Sequence, residues 1–268
     1  MKPIIQKLWI VMAMLCLSIS ASAYDFEIDG IYYTKLSDGF SVQVSNKNKG
    51  TYAGSTYSGD IVIPESVMHD GLSYNVTSIG QFAFYRSAVT SVELPNGIVS
   101  IGYHCFAGSE SMTSCILPAS ITSLGAAAFS GCVSLQKINI PKGVSTLNLE
   151  TFYGCKSITE VTIPNTVMRI SYASTTWASS GSGALNASST FPCFAHCSSL
   201  KTVIFEDGDR PISFIDTTPG FSTPTGVLYA NEIFYGCPIT SVYLGRTLED
   251  SPGKGLFQNF STLTEVKI

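Results

Sequence analysis

The chain has 268 residues, of which 45% are apolar and only 13% charged, with a formal net charge of −4. Such a composition can bury a continuous core. With no basic run, no nucleic-acid motif and no polybasic patch, it argues against DNA, RNA or anionic lipid as partners.

The N-terminus reads as a secretory signal over residues 1–23. Lys2 and Lys7 form a positive region, Leu8 to Ile19 is apolar, and Ala21-Ser22-Ala23 fits a small-x-small cleavage site. The mature chain would begin at Tyr24, and loss of the two lysines would take its net charge to −6. A membrane anchor is the alternative, but the run is short for a span. A lipidated Cys16 is another, although Ala13-Met14-Leu15 lacks the small residue expected just before it. After cleavage no segment is long and apolar enough for an integral membrane span.

Residues 24–60 carry no repeat. Phe26 to Tyr33 reads as a hairpin turning at Asp29-Gly30, and Phe40 to Val44 alternates after a second turn at Asp38-Gly39. This segment is expected to cap the structure that follows.

From residue 61 to 268 the chain is periodic. Pro95, Pro118, Pro141 and Pro164 lie 23 residues apart, and each closes a short apolar run such as Ile138-Asn139-Ile140. A period of this size is the signature of a leucine-rich solenoid. One unit reads Leu135-x-x-Ile138-x-Ile140-Pro141-x-x-Val144-x-x-Leu147-x-x-x-x-Phe152-x-x-Cys155. Ile138 and Ile140 should point inward from a strand and Asn139 outward, so successive coils would build a parallel sheet along one side. Pairs such as Ile101-Gly102 and Leu124-Gly125 suggest a second short strand and a turn. Ala83-Phe84 and Ala128-Phe129 are expected on tight helical or 3₁₀ turns, with the ring inside the coil. The fold class is therefore a mainly β leucine-rich-repeat solenoid of about eight coils of roughly 23 residues, with an N-terminal β-hairpin cap.

Three insertions interrupt the register. One, near residues 66–76, turns at Asp70-Gly71 and should be a projecting hairpin. Those near residues 171–190 and 207–232 are rich in small or turn-forming residues and read as surface loops. Trp177 and Phe221 are the aromatic residues in them that could contact a ligand.

Seven cysteines remain after residue 23. Cys132, Cys155, Cys197 and Cys237 recur three residues after the repeat phenylalanine. In a secreted chain they could form disulfides. The favoured reading is a ladder of buried thiols, because equivalent side chains of stacked coils point in parallel. Cys193 and Cys197 with His196 are too few ligands for structural zinc. Glu206-Asp207-Gly208-Asp209 lacks the spacing and terminal Glu of a calcium loop. No nucleophile elbow or phosphate-cradling motif accompanies the three histidines, His69, His104 and His196. The expectation is a non-enzymatic protein with no cofactor and no metal.

The series Ile79-Gly80, Ala128-Phe129, Cys132, Leu135, Ile138 and Ile140-Pro141 resembles the BspA-like, or Treponema-type, leucine-rich repeats of bacterial surface and secreted proteins. The resemblance covers about residues 61–268. It implies a secreted, periplasmic or cell-surface location in a bacterium and adhesion to an extracellular protein or glycan. An envelope scaffold or assembly subunit without a host ligand is the alternative. The outward strand positions that could form a binding face are Glu93, Ile116, Asn139, Thr162, Ile204, Tyr243 and Lys267.

Overall fold

An apolar-polar-apolar triplet in front of each proline makes one short strand per coil, since proline has no N–H to continue a ladder. The computed structural model describes residues 24–48, 53–172, 192–216, 233–248 and 260–268. The expected signal segment, Trp177, Phe221 and most of the two later insertions lie outside the described residues.

In chain order the strands are β1 (Phe26–Ile28), β2 (Ile31–Lys35), β3 (Ser41–Ser45), β4 (Ser58–Val62), β5 (Ser66–His69), β6 (Leu72–Ile79), β7 (Ala88–Glu93), β8 (Ser100–Ile101) and β9 (Ser114–Ile116). There follow β10 (Ser123–Leu124), β11 (Thr146–Leu147), β12 (Glu160–Ile163), β13 (Arg169–Tyr172), β14 (Thr202–Phe205), β15 (Ser213–Asp216), β16 (Ser241–Leu244) and β17 (Glu265–Lys267). They form a β-rich leucine-rich-repeat solenoid with two ladders.

The strands before the prolines make the first ladder, and all its pairings are parallel. It runs β4-β7-β9 and then β12-β14-β16-β17. The expected single sheet is interrupted at Asn139. There the side-chain amide captures Leu117 of the preceding coil: Leu117 N–H donates to Asn139 Oδ1 at 3.0 Å, and Asn139 Nδ2 donates to Leu117 O at 2.7 Å. The side chain occupies backbone groups that a strand partner would otherwise use.

The second ladder is the one the Ile-Gly pairs foretold. It joins β6, β8 and β10, and further on β11, β13 and β15, again in parallel. Glycine after the strand is required by close approach. A Cβ on Gly125 would lie 2.5 Å from both the Gly102 carbonyl carbon and the Tyr103 nitrogen.

Between the ladders, each phenylalanine sits on a tight turn rather than a helix; among the described residues only Ile233-Phe234 are 3₁₀. Left-handed backbone brackets the ring: Ala127 and Glu150 lie two residues before Phe129 and Phe152, and Gly131 and Gly154 two after, all at φ between 55 and 71°. This geometry aims the ring inward. Phe84, Phe106, Phe129, Phe152, Phe194 and Phe234 stack in a column, with centroids 5.0–5.7 Å apart and planes within 12–17°. All six are fully buried, and the repeat-position Ile, Leu and Val residues pack around them in one continuous core.

The repeat cysteines line the same column. Cys132, Cys155, Cys197 and Cys237 donate S–H to the carbonyls of Phe106, Phe129, Phe152 and Phe194, each one coil back, at 3.1–3.2 Å. Ser109 does the same to Phe84 at 2.7 Å. All seven described cysteines are free and buried.

At the N-terminal end β1, β2 and β3 pair antiparallel, and β3 joins β6 in parallel. Tyr57 extends the phenyl column, its ring 4.7 Å from Phe84. Its hydroxyl accepts from Tyr32 N–H at 2.9 Å and donates to Ser45 O at 2.8 Å. The hairpin of β5 and β6 turns at Asp70-Gly71 as expected, but it does not project. Its second strand is part of the second ladder, and His69 stacks on Phe26 at 4.0 Å and 9°.

Candidate functional site

The outward positions of the first ladder stand in one register. Glu93 is opposite Ile116, and Thr162, Ile204, Tyr243 and Lys267 follow one another across four strands. Asn139 lies between the two groups on its amide bridge to Leu117. The register adds a residue not singled out from the sequence: Val62 pairs with Glu93. The signal was available, because Ile61-Val62-Ile63-Pro64 has the same form as Ile138-Asn139-Ile140-Pro141. At roughly 4.8 Å per strand, the row from Val62 to Lys267 spans about 34 Å.

Exposure differs along this row. Ile116 is 78% and Val62 63% exposed, on either side of the exposed Glu93. Ile204, read from sequence as the exposed apolar residue, is half-buried between Thr162 and Tyr243. Tyr243 is tied down: its hydroxyl donates to Asp207 Oδ1 at 2.6 Å, and that bond and the carboxylate's charge push the phenol pKa up. Lys267 pairs with Glu265 at 3.0 Å. The centre of the row, from Ile116 through Tyr243, carries no charge, whereas Glu93 and Lys267 flank it.

A parallel row on the same face is polar. Asp60 accepts from Ser91 Oγ and Thr90 Oγ1 at 2.6 Å each, which holds its carboxyl below the usual range. Glu265 accepts from Ser241 Oγ at 2.9 Å; Lys267 first and then Ser241 lower its pKa. These short bonds fix the polar side chains, while Ile116 and Val62 stand largely exposed.

The acidic loop after β14 serves the backbone. Glu206 Oε2 accepts from Asn165 N–H, and Asn165 Nδ2 donates to Asp207 O. Arg246, 7% exposed, lies behind them and donates to Pro164 O and Asn165 O at 2.7 and 2.8 Å. Sequence reasoning missed this residue, since its partners lie 81 and 82 positions away. Among the described residues no group of three or more His, Cys, Asp or Glu is placed to hold a metal ion. Among them, too, no helix is long and apolar enough to cross a membrane.

Residues 71–178 match the family model described as BspA type leucine rich repeat region, in 6 copies. Over that stretch the chain therefore carries BspA-type leucine-rich repeats. Its fold is similar to that of a leucine-rich repeat protein of T. pallidum, with a TM-score of 0.50 and 18% identity over 91% of this chain and 81% of that one. A leucine-rich repeat protein of Bacteroides ovatus matches at 0.35 and 21% identity, over 91% and 76% of the two chains. A leucine rich cell surface protein of Faecalibacterium prausnitzii matches at 0.35 and 14%, over 90% and 94%. No curated protein matches the chain.

Proposed function

From the premise that this is a BspA-type repeat solenoid, we propose that it is a non-enzymatic binding protein, secreted or held at the surface of a bacterial cell. Its partner is an extracellular protein, bound across the outer face of the first ladder. Residues 1–23 direct export, and residues 24–60 cap the solenoid. The observation that supports the reading is the register Val62–Glu93–Ile116, in which two largely exposed aliphatic side chains stand in one row with the neutral stretch that runs to Tyr243. An uncharged, partly apolar centre with charges at its margins is the composition of an interface core and rim, and a face about 34 Å long suits a partner of protein size.

The test is a panel of immobilised extracellular-matrix proteins probed with the purified chain, alongside protease treatment of intact cells. Saturable binding to one protein and release of the chain by protease are expected. No binding, with the chain protected on intact cells, would favour an internal envelope scaffold.

A further inference from the structure

A concave surface lies beside the phenylalanine turns, where the chain enters the first-ladder strands, with Ala88 of β7 in its lining. Gly108, Gly131 and Gly154 occupy one repeat position, two residues after Phe106, Phe129 and Phe152, all with left-handed backbone. Stacked without side chains, they form the floor of an open trough of about 820 Å³. At either end the glycine is replaced. Arg86 stands in the first coil and His196 in the last, so side chains wall the trough lengthwise.

The charge in this trough runs against the charge of the chain. Its lining holds Arg86, Glu110 and Lys156 as its charged residues, two cations to one carboxylate, in a protein of net charge −4. All three are exposed, and among the described residues none of them makes an ion pair. Arg86 and Lys156 stand three coils apart, about 14 Å at strand spacing, with Glu110 between them. Arg86 rests over the Tyr85 ring at 5.3 Å, but among the described residues neither it nor Lys156 has a carboxylate partner, and two cations so placed in a concave surface attract an anion.

The floor disfavours an extended peptide. Gly108, Gly131 and Gly154 donate their N–H groups to Ser130, Tyr153 and Ala195 of the next coil, and the Gly108 and Gly131 carbonyls accept from Glu110 and Val133. No ladder is left to extend, so main-chain pairing of the kind used in strand addition has no partner. What remains is side-chain chemistry. Ser111 and the two cations offer hydrogen bonds, and half-buried Val133 and Tyr153 offer apolar surface. Tyr153 is braced edge-on against His196 at 5.6 Å and 82°.

We propose that this trough binds an acidic oligosaccharide in which carboxylate-bearing units alternate with neutral ones. One carboxylate meets Arg86, a neutral unit passes Glu110, and a later carboxylate meets Lys156. Sugar C–H faces rest on Tyr153 and Val133. The site is independent of the outer ladder face.

The test uses the purified chain and a fluorescent hyaluronan hexasaccharide, in which uronate and N-acetylhexosamine alternate. Saturable binding that weakens with added salt is expected. Arg86→Gln and Lys156→Gln should each weaken it at least tenfold with unchanged melting curves, and Glu110→Gln should leave it equal or tighter. A chitin hexasaccharide should bind at least tenfold more weakly, as should an oligoglutamate peptide. Ile116→Asp, on the outer face, should bind the probe like the parent. Absence of saturable binding overturns the proposal, as does full affinity in both cation variants. Equal or better binding of oligoglutamate would replace the sugar with an acidic peptide, and equal binding of chitin would remove the role of charge.

Discussion

The Cys132 thiol donates to the carbonyl of Phe106, one coil back, at 3.1 Å, and this contact recurs at Cys155, Cys197 and Cys237. The repeat cysteine is thus a small buried donor that ties each phenyl turn to its neighbour, a role Ser109 fills in the Phe106 turn. Burial pushes Cys115 and Cys193 up to about 12 and Cys132 well above its ordinary value of 9.0.

Two consequences follow for these thiols. Alkylation of the unfolded, unreduced chain should label at least four cysteines, whereas the folded chain should resist labelling at neutral pH, because the thiolate is the reactive form. Stability should also fall with alkali. Below about pH 9 the thiols are protonated in both states and contribute no pH dependence. Between 9 and about 12 the unfolded chain releases protons that the native chain keeps, so stability drops by up to about 1.4 kcal/mol per pH unit for each thiol. Denaturant midpoints measured from pH 8 to 11 check this. A flat profile, or mass evidence for three disulfides, contradicts the ladder.

Replacing Phe129 by Ala should cost about 3–5 kcal/mol, the range for emptying a buried ring site. The ring is fully buried and stacked on both Phe106 and Phe152. Thermal or urea unfolding reads the loss directly; an unchanged curve would mean the ring column is misassigned.

Gly125→Ala should destabilise by about 1–3 kcal/mol, as overpacking does. The new methyl would sit 2.5 Å from the backbone of Gly102 and Tyr103, which cannot swing aside. Gly97→Ala is the matched control, with its nearest atom 3.4 Å away and an expected change within about 0.5 kcal/mol.

Tyr57→Phe should cost about 1–3 kcal/mol, because it strands the buried Tyr32 N–H and takes a donor from Ser45 O while leaving the ring in place. If residues 24–60 are the cap, hydrogen exchange in the variant should rise first in β2 and β3, before the central coils. Uniform acceleration along the chain would argue against a separate capping role.

Periodicity made the solenoid readable, since Pro95, Pro118, Pro141 and Pro164 mark the strands and Phe129 and Phe152 the column. What stayed hidden depends on neighbours in space. Whether Asn139 points its amide to solvent or onto Leu117 is decided by the coil next to it, so the break in the first ladder could not be read from the Ile138-Asn139-Ile140 triplet. Arg246 and Tyr57 lie outside the repeat pattern and act through partners that are distant in sequence or backbone atoms without identity. The hairpin at 66–76 was legible as a turn, but its docking rests on the contact of His69 with Phe26. On the outer face, alternation marked the direction of Ile116 and Ile204 alike. Their different exposure reflects flanking side chains, chiefly Tyr243 beside Ile204.

The central claim is that the outer face of the first ladder, with the exposed Val62 and Ile116 in its row, holds a protein partner. The direct measurement is the affinity of the Val62→Asp/Ile116→Asp variant for whichever matrix protein the panel identifies, with Tyr243→Phe as a companion that keeps the ring but frees Asp207. Both substituted aliphatic side chains are largely exposed, so the variant should still fold, with a melting point lowered only by the new carboxylates flanking Glu93. The account predicts a loss of about thirtyfold or more in the double variant, the mark of hot-spot positions, and a smaller change in the companion. Parental affinity in a folded double variant would contradict it.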